Sequence, residues 1–386
     1  MKRFGNLYNK ICTFENLLLA FYKARRGKRS NDNVAAFEAN MEWELLRLLE
    51  ELKVENYCPG AYRTFQIHDP KERMISAAPF RDRVVHHALC NIIEPIFEPT
   101  LIFDTYANRT GKGTHAGIRR CQEFTRRYPY VLKTDIKKYF PSIDHGILKN
   151  IIARKIKCRP TLRLINLIID NSNLQEPVQD YFPGDDLFSL QDRRKGLPMG
   201  NLTSQFFANL YLSPFDHFVK EALGIKGYIR YVDDMVLFHH KKQALHEAEQ
   251  AIRHFLATKL RLRLHEKKTN IFPSKVGITF LGQRVFTSHR RLKRENVQRF
   301  KKRLDERLNA YLCGEISPET FEMQLNSWLG HARQTDTFRF RRKVFWYLRS
   351  RGLNLFTKDN AWKLLEQQRP KKQNPPNQRL ISKFKW

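Results

Sequence analysis

The sequence predicts an α+β fold, with helices along the whole chain and a few short strands set among them between about residues 61 and 285. Three observations point there. Apolar residues recur at helical spacing over residues 14–56 and again from about 287 onward. Short runs rich in β-branched and aromatic residues, bounded by Pro and Gly, lie between 61 and 285. The chain is 386 residues long and 41% hydrophobic, enough for a core and more than one subdomain.

In order, residues 14–56 read mostly as helix, with Asn31 to Asn33 offering a cap. Residues 61–80 read as extended, with a turn at "HDPKER". "RDRVVHHALCNIIEPIF" reads as a helix stopped near Pro95 and Pro99. "YVLKTDIKKYF" reads as a strand ending before Pro141, because proline disfavours helix in the residue preceding it. "HGILKNIIARKI" and "TLRLINLIIDNS" are helical, and 173–195 is a Pro/Gly-rich connection. "LTSQFFANLYLSPFDHFVKEAL" is a long helix broken or kinked at Pro214. "GYIRYVDDMVLF" is a strand hairpin, "KQALHEAEQAIRHFLATKL" an amphipathic helix, and "LRLH", "NIFP" and "KVGITFLGQRVF" are short strands. From about residue 287 the pattern is wholly helical and very basic.

Seventy Lys and Arg against 39 Asp and Glu leave a net charge of +31. Such an excess implies an anionic polymer as partner, with nucleic acid the default. In "HRRLKRENVQRFKKRLDERLNAYL" cations outnumber acids about three to one, so paired salt bridges do not account for the run and phosphate contact does. No stretch approaches the roughly 18 apolar residues of a spanning helix, and the N-terminus lacks the marks of a signal peptide. Six scattered cysteines without any C-x-x-C exclude common zinc and redox spacings and suit a reducing cytoplasm.

Asp233 and Asp234 sit side by side within an apolar and aromatic run. One explanation is a hairpin turn carrying solvated carboxylates. The other is a divalent cation that turns their repulsion into attraction. Asp135, at the end of another strand-like run, supplies a further carboxylate. A strand ending in Asp beside a hairpin bearing Asp-Asp is a way for phosphoryl-transfer enzymes to hold two Mg²⁺ ions.

The ordered motifs "LKTDIKKYFPSID", "GLPMGNLTSQFFANLYL" and "YVDD" closely resemble those of reverse transcriptases, over residues from about 4 to 350. The resemblance implies a right-hand polymerase with fingers, an antiparallel-sheet palm and a helical thumb. It implies RNA-templated DNA synthesis with two Mg²⁺ ions, Mn²⁺ being a substitute. Asp135, its neighbour Ile136 and Asp233 would form the metal-binding set, with Asp234 as supporting acid. Phe140 matches the aromatic gate against a ribose 2′-hydroxyl, although core packing also explains it. Lys71 and Arg73, with Arg81 and Arg83 beyond, match the segment that clamps the triphosphate. Lys268 of "HEKKTNIF", or its neighbour Lys267, matches the lysine that protonates pyrophosphate. Phe280, Leu281 and Gly282 match the primer grip. Arg290, Arg291, Lys293, Arg294, Lys301 and Lys302 are the expected nucleic-acid contacts, and template and primer are expected in a cleft between fingers and thumb.

Most reverse transcriptases carry Q-G-x-x-x-S-P where this chain has "MGNLTSQ", so Met199 stands for the glutamine and Gln205 for the proline beside Gly200. With "FRDRVVHHALCNIIEPIFE", "GKGTHAG" and "NSWLGHA", this resembles the diversity-generating retroelement type, in which Ile, Leu or Val usually precedes the glycine. That type implies error-prone cDNA synthesis from a structured RNA encoded nearby, with a possible small accessory protein. The long connection at 173–195 and the tail beyond 350 leave room for a stand-alone bacterial enzyme of anti-phage defence. The rival of another class is an inactive RNA-binding polymerase fold. The expected divisions are 1–125 (N-terminal helices and fingers), 126–286 (palm, with a fingers-side insertion at 145–195), 287–352 (basic helical thumb) and 353–386 (basic extension, with no room for a ribonuclease H domain).

Overall fold

The computed structural model describes residues 2–353 except 69–71, 174 and 187, and these fall into two compact units that divide between Val276 and Gly277. The extension expected at 353–386 lies, apart from Leu353, outside the described residues.

The first unit begins with helices α1 (Tyr8–Ile11), α2 (Phe14–Arg25), α3 (Asp32–Ala39) and α4 (Met41–Lys53). The Thr13 hydroxyl accepts from the Asn16 amide and so caps α2. Leu17, Ala20 and Phe21 of α2 are buried with Phe80, Val84 and Ala88 of α5 (Phe80–Phe97) in one core. Helix α5 ends at Phe97, between Pro95 and Pro99 as expected, with Pro95 itself inside the helix. Pro95 withholds one backbone bond, but the buried Ile93 and Phe97 on either side keep the helix against the core. Between α4 and α5 lies the antiparallel hairpin β1 (Arg63–Ile67) and β2 (Arg73–Ala77).

The central sheet has strand order β4–β5–β3–β6, with all neighbours antiparallel: β3 (Tyr130–Asp135), β4 (Gly227–Tyr231), β5 (Asp234–His239) and β6 (Asn270–Pro273). Both its faces are covered. Leu132, Tyr228, Met235 and Leu237 enter the main core, whereas Phe238 meets Phe124 of α6 (Thr114–Arg127) at 5.6 Å between ring centres. Double burial explains why the Asp-Asp hairpin reads as a continuous apolar run rather than an alternation. Helices α7 (Tyr139–Ser142), α8 (His145–Ala153), α9 (Arg159–Asp170) and α10 (Ser189–Asp192) follow β3. Helix α11 (Leu202–Tyr211) gives way to α12 (Ser213–His217) at Pro214, which opens α12, and a π turn (Phe218–Ala222) follows. Helix α13 (Lys242–Lys259) packs on β3, β5 and β6. "LRLH", expected as a strand, makes only one bridge, Leu264 to Ile136. The left-handed Arg261 (φ +49) lies just before Leu262 and leaves only a short extended segment, bonded through the Arg263 carbonyl and the His265 amide.

The second unit starts with a meander, β7 (Ile278–Phe280), β8 (Gln283–Val285) and β9 (Arg290–Leu292). Strand β9 corrects the wholly helical expectation from 287, because pairing with β8 decides a segment too short to show a period. The meander also draws 277–286 into this unit, whereas the palm was expected to run to 286. Helices α14 (Arg294–Leu312), α15 (Pro318–Ala332) and α16 (Phe338–Ser350) share a core of Phe300, Leu304, Phe321, Leu325, Val344 and Leu348. No helix among the described residues is long and apolar enough to cross a membrane.

Candidate active site

Strand pairing brings the three aspartates to one end of the central sheet. Asp135 on β3 faces Asp234 on β5, and Tyr231 of β4 faces the same Asp234. Val232 and Asp233 are therefore a two-residue hairpin turn. Val232 has φ +56, a left-handed conformation that is a true outlier for a β-branched residue. The hairpin reading was thus correct for the backbone, but the carboxylates are not simply solvated. Both are half-buried, and Asp234 Oδ1 is buried without a hydrogen-bond partner.

Burial pushes the Asp234 carboxyl up to about 7, with Lys133, at 3.7 Å from Oδ1, pulling it back. Burial and then the charge of Asp135 push Asp233 up to about 6, against the pull of Lys268 and Arg73. Lys268 Nζ donates to Asp135 Oδ1 at 2.8 Å, so Lys268 rather than Lys267 reaches the carboxylate pair. Lys268 is 41% exposed, so this ion pair stabilises little and is cheaply given up to another cation.

Backbone parity adds one more oxygen. The Asp135 carbonyl accepts from the His265 amide on the β6 side. The next carbonyl, that of Ile136, therefore turns to the side of the Asp233 turn. Among the described residues no three His, Cys, Asp or Glu side chains form a ready-made metal cage. Two carboxylates, a carbonyl and a buried carboxylate oxygen without a donor nonetheless suit Mg²⁺. That ion takes one or two protein carboxylates and completes its shell with water and substrate phosphates.

Around this end of the sheet, Arg73 is exposed on β2, while Lys71 lies outside the described residues. Arg81 is engaged elsewhere: it pairs with Glu51 and stacks over Tyr57. Arg83 donates to the Ala78 carbonyl. Phe140 is half-buried against the core, edge-on to Tyr139, so a packing role coexists with any contact to a sugar. Met199 and Gln205 are half-buried, and the Met199 carbonyl accepts from the Ser76 amide of β2 at 3.0 Å. Gly200 has φ +113 and lies so near Ile75 that a Cβ would meet it at 3.0 Å, so glycine is required there.

Asn201 was not singled out in the sequence. Its buried amide donates to the Ser76 carbonyl at 2.8 Å and accepts from the Ala78 amide at 3.2 Å, stapling "PMGN" to the β1–β2 hairpin. Arg230 and Asp216, a fully buried ion pair, were also missed, although an arginine inside an apolar strand is itself a signal.

In the second unit Leu281 and Gly282 form the β7–β8 turn and Phe280 is buried. Arg291, Arg294 and Lys302 are exposed, whereas Arg290, Lys293 and Lys301 are half-buried. Lys293 pairs with Glu295.

Comparison with known proteins adds a family to this geometry. Protein YkfC of Escherichia coli (strain K12) is 25% identical over 300 residues, covering 67% of this chain and 75% of that protein. The group II intron-encoded protein LtrA of Lactococcus lactis subsp. cremoris is 25% identical over 181 residues, 46% of this chain but only 28% of that protein. Among solved structures, apo telomerase from Candida tropicalis, truncated from its C-terminal domain, aligns with a TM-score of 0.42 and 15% identity, covering 66% of this chain and 60% of that one. The family model "Reverse transcriptase (RNA-dependent DNA polymerase)" matches residues 67–285, more than half of the sequence and all three aspartates. The chain belongs to the reverse transcriptase family, the RNA-directed DNA polymerases.

Proposed function

We propose that this chain copies a structured, nearby-encoded RNA into cDNA by nucleotidyl transfer at Asp135, Asp233 and Asp234. The observation that supports it most is the meeting of these carboxylates at one sheet end, two of them raised by burial, with a backbone carbonyl turned to the same side. Asp135, Asp233 and the Ile136 carbonyl would hold Mg²⁺, or Mn²⁺ in its place, while Asp234 shapes the local field. Bound there, the ions supply neutralising charge for the attacking 3′-oxygen and the leaving pyrophosphate. Lys268, released from Asp135, donates a proton to pyrophosphate. Arg73 with Lys71 meets the triphosphate, and Arg81 would join only by leaving Glu51. Phe140 crowds the sugar 2′ position, and Met199, Gly200 and Gln205 border the nascent pair. Phe280 to Gly282 support the primer, and Arg290, Arg291, Lys293, Arg294, Lys301 and Lys302 meet nucleic-acid phosphates.

Primer extension on an RNA template with Mg²⁺ and dNTPs tests the reading. Extension by the parent chain and none by Asp233→Ala, at equal RNA affinity, supports it. RNA binding without extension by the parent leaves the inactive RNA-binding polymerase fold instead.

The finer reading is error-prone synthesis of the diversity-generating type, and it rests on Met199. A methionine offers soft, adaptable contact where glutamine would hydrogen-bond, so a distorted base pair loses little. Losing one polar contact raises errors by about an order of magnitude. Sequencing cDNA from the parent and from Met199→Gln checks this; equal, low error rates at every template base remove the mutagenic role. A small accessory protein would be sought by co-purification. The anti-phage defence reading keeps the same chemistry and differs in the RNA that co-purifies.

A further inference from the structure

We infer that Arg230, held by Asp216, is a positioning residue for the turn that carries Asp233, an inference that rests on the reading of Asp233 as a metal-binding carboxylate. Arg230 lies on β4 between Ile229 and Tyr231, and its side chain and that of Asp216 are wholly excluded from solvent. Its Nε donates to Asp216 Oδ1 at 2.7 Å and its Nη2 to Asp216 Oδ2 at 2.6 Å, a two-point fork. The Tyr228 hydroxyl donates to the same carboxylate at 2.8 Å. Nη1 reaches forward to the carbonyl of Val232 at 3.1 Å and sideways to Asn209 Oδ1 at 3.2 Å. The Asn209 carbonyl accepts from Nη2 at 3.3 Å, so α11 also bears on the guanidinium.

Stability alone does not explain this arrangement. Replacing a buried ion pair by apolar side chains of similar volume is often neutral or stabilising. What an apolar pair cannot do is hydrogen-bond the Val232 carbonyl. That carbonyl belongs to the residue in the left-handed conformation, the strained half of the Val232–Asp233 turn. A charged donor fixed at two points by Asp216 holds this peptide in place and thereby aims the next side chain, Asp233. Lysine could keep the charge, but its single ammonium lacks the rigid fork that reaches Asp216 and Val232 together.

Three variants of the full chain test the assignment. Arg230→Lys keeps the buried charge. Its nucleotide-addition kcat should fall by about 10–100-fold while the dNTP KM and RNA affinity stay within about twofold. Hydrogen exchange of the 231–235 amides, measured without metal, should quicken, a change that a diffuse loss of stability would spread over the whole sheet. The double variant Arg230→Met with Asp216→Leu should still melt cooperatively, a few degrees below the parent because the Tyr228 hydroxyl and Asn209 lose partners, and show the same two losses. Adding Val232→Gly to Arg230→Lys should recover part of both, because glycine accepts the left-handed conformation without strain.

Parent-like rate and exchange in the double variant overturn the inference. So does the absence of cooperative melting in both Arg230 variants, which would make Arg230 a plain core residue. The proposed function fails separately: an active Asp233→Ala sinks that reading, whereas an inactive Asp233→Ala with an active double variant sinks only this one.

Discussion

Among the described residues two tight hairpin turns have the same length, and they are held by opposite means. Leu281 and Gly282 close β7–β8 with φ of +47 and +79, the signature of a turn whose twist matches its strands. Local partners complete it: the Lys293 amide and the Asn296 side chain both donate to the Gly282 carbonyl. Val232 and Asp233 close β4–β5 with a β-branched residue in the left-handed region and no glycine. That turn is held from beneath by Arg230, whose own partners Asp216 and Asn209 come from two other helices. A turn with ordinary chemistry can be written into two residues. A turn that must present a half-buried carboxylate is imposed by long-range contacts, and the strain collects where the chemistry is proposed.

Removing the chemistry from the imposed turn should have the largest effect. Asp233→Ala or Asp135→Ala should lower nucleotide addition by on the order of a thousandfold or more, with RNA affinity within about twofold. A comparable fall in RNA affinity would mark both as structural residues. The local turn should answer in stability instead. Gly282→Ala places a Cβ 3.1 Å from the Asn296 amide at a left-handed φ, and should cost about 1–2 kcal/mol in denaturant unfolding. An unchanged unfolding midpoint would show that this turn relaxes freely.

Proton linkage distinguishes the two next. The Asp233 and Asp234 carboxyls are raised in the folded state, so the folded chain keeps protons that the unfolded chain releases. Their contribution to stability is fully present below the ordinary carboxylate range and is lost as pH rises through about 6 and 7. Asp234→Asn, which stays neutral, should therefore raise the metal-free melting temperature by about 2–4 °C near pH 8 and leave it unchanged near pH 4. Added Mg²⁺ should narrow the difference, since it favours the ionised carboxylates of the parent. A gain independent of pH would assign it to something other than ionisation. Gly282→Ala carries no such pH dependence.

The smallest effect belongs to Val232→Gly. Relieving φ +56 should offset the entropy that glycine adds to the unfolded chain, leaving stability within about 1 kcal/mol of the parent. A larger loss would mean that the Val232 side chain, packed against the main core, matters more than its backbone.

The sequence alone was enough for the α+β class, the elements from 130 to 285 in outline, and the three aspartates. These follow from periods of two and 3.6 and from carboxylates set in apolar runs, which are properties of neighbouring residues. The strand at "LRLH" and the helix from 287 were misread, since each turned on pairing with a distant segment. The same reason hid the supports of the site. Asn201 is separated by 125 residues from the Ser76 carbonyl it holds, and the engagement of Arg81 by Glu51 spans 30. Arg230 stood in plain view within "GYIRYVDD", but only the folded chain brings Asp216 and Asn209 to its guanidinium. Local spacing determines which residues can carry charge to the end of a strand. Which cation or amide then fixes them depends on contacts closed across long loops, and only the tertiary structure decides those.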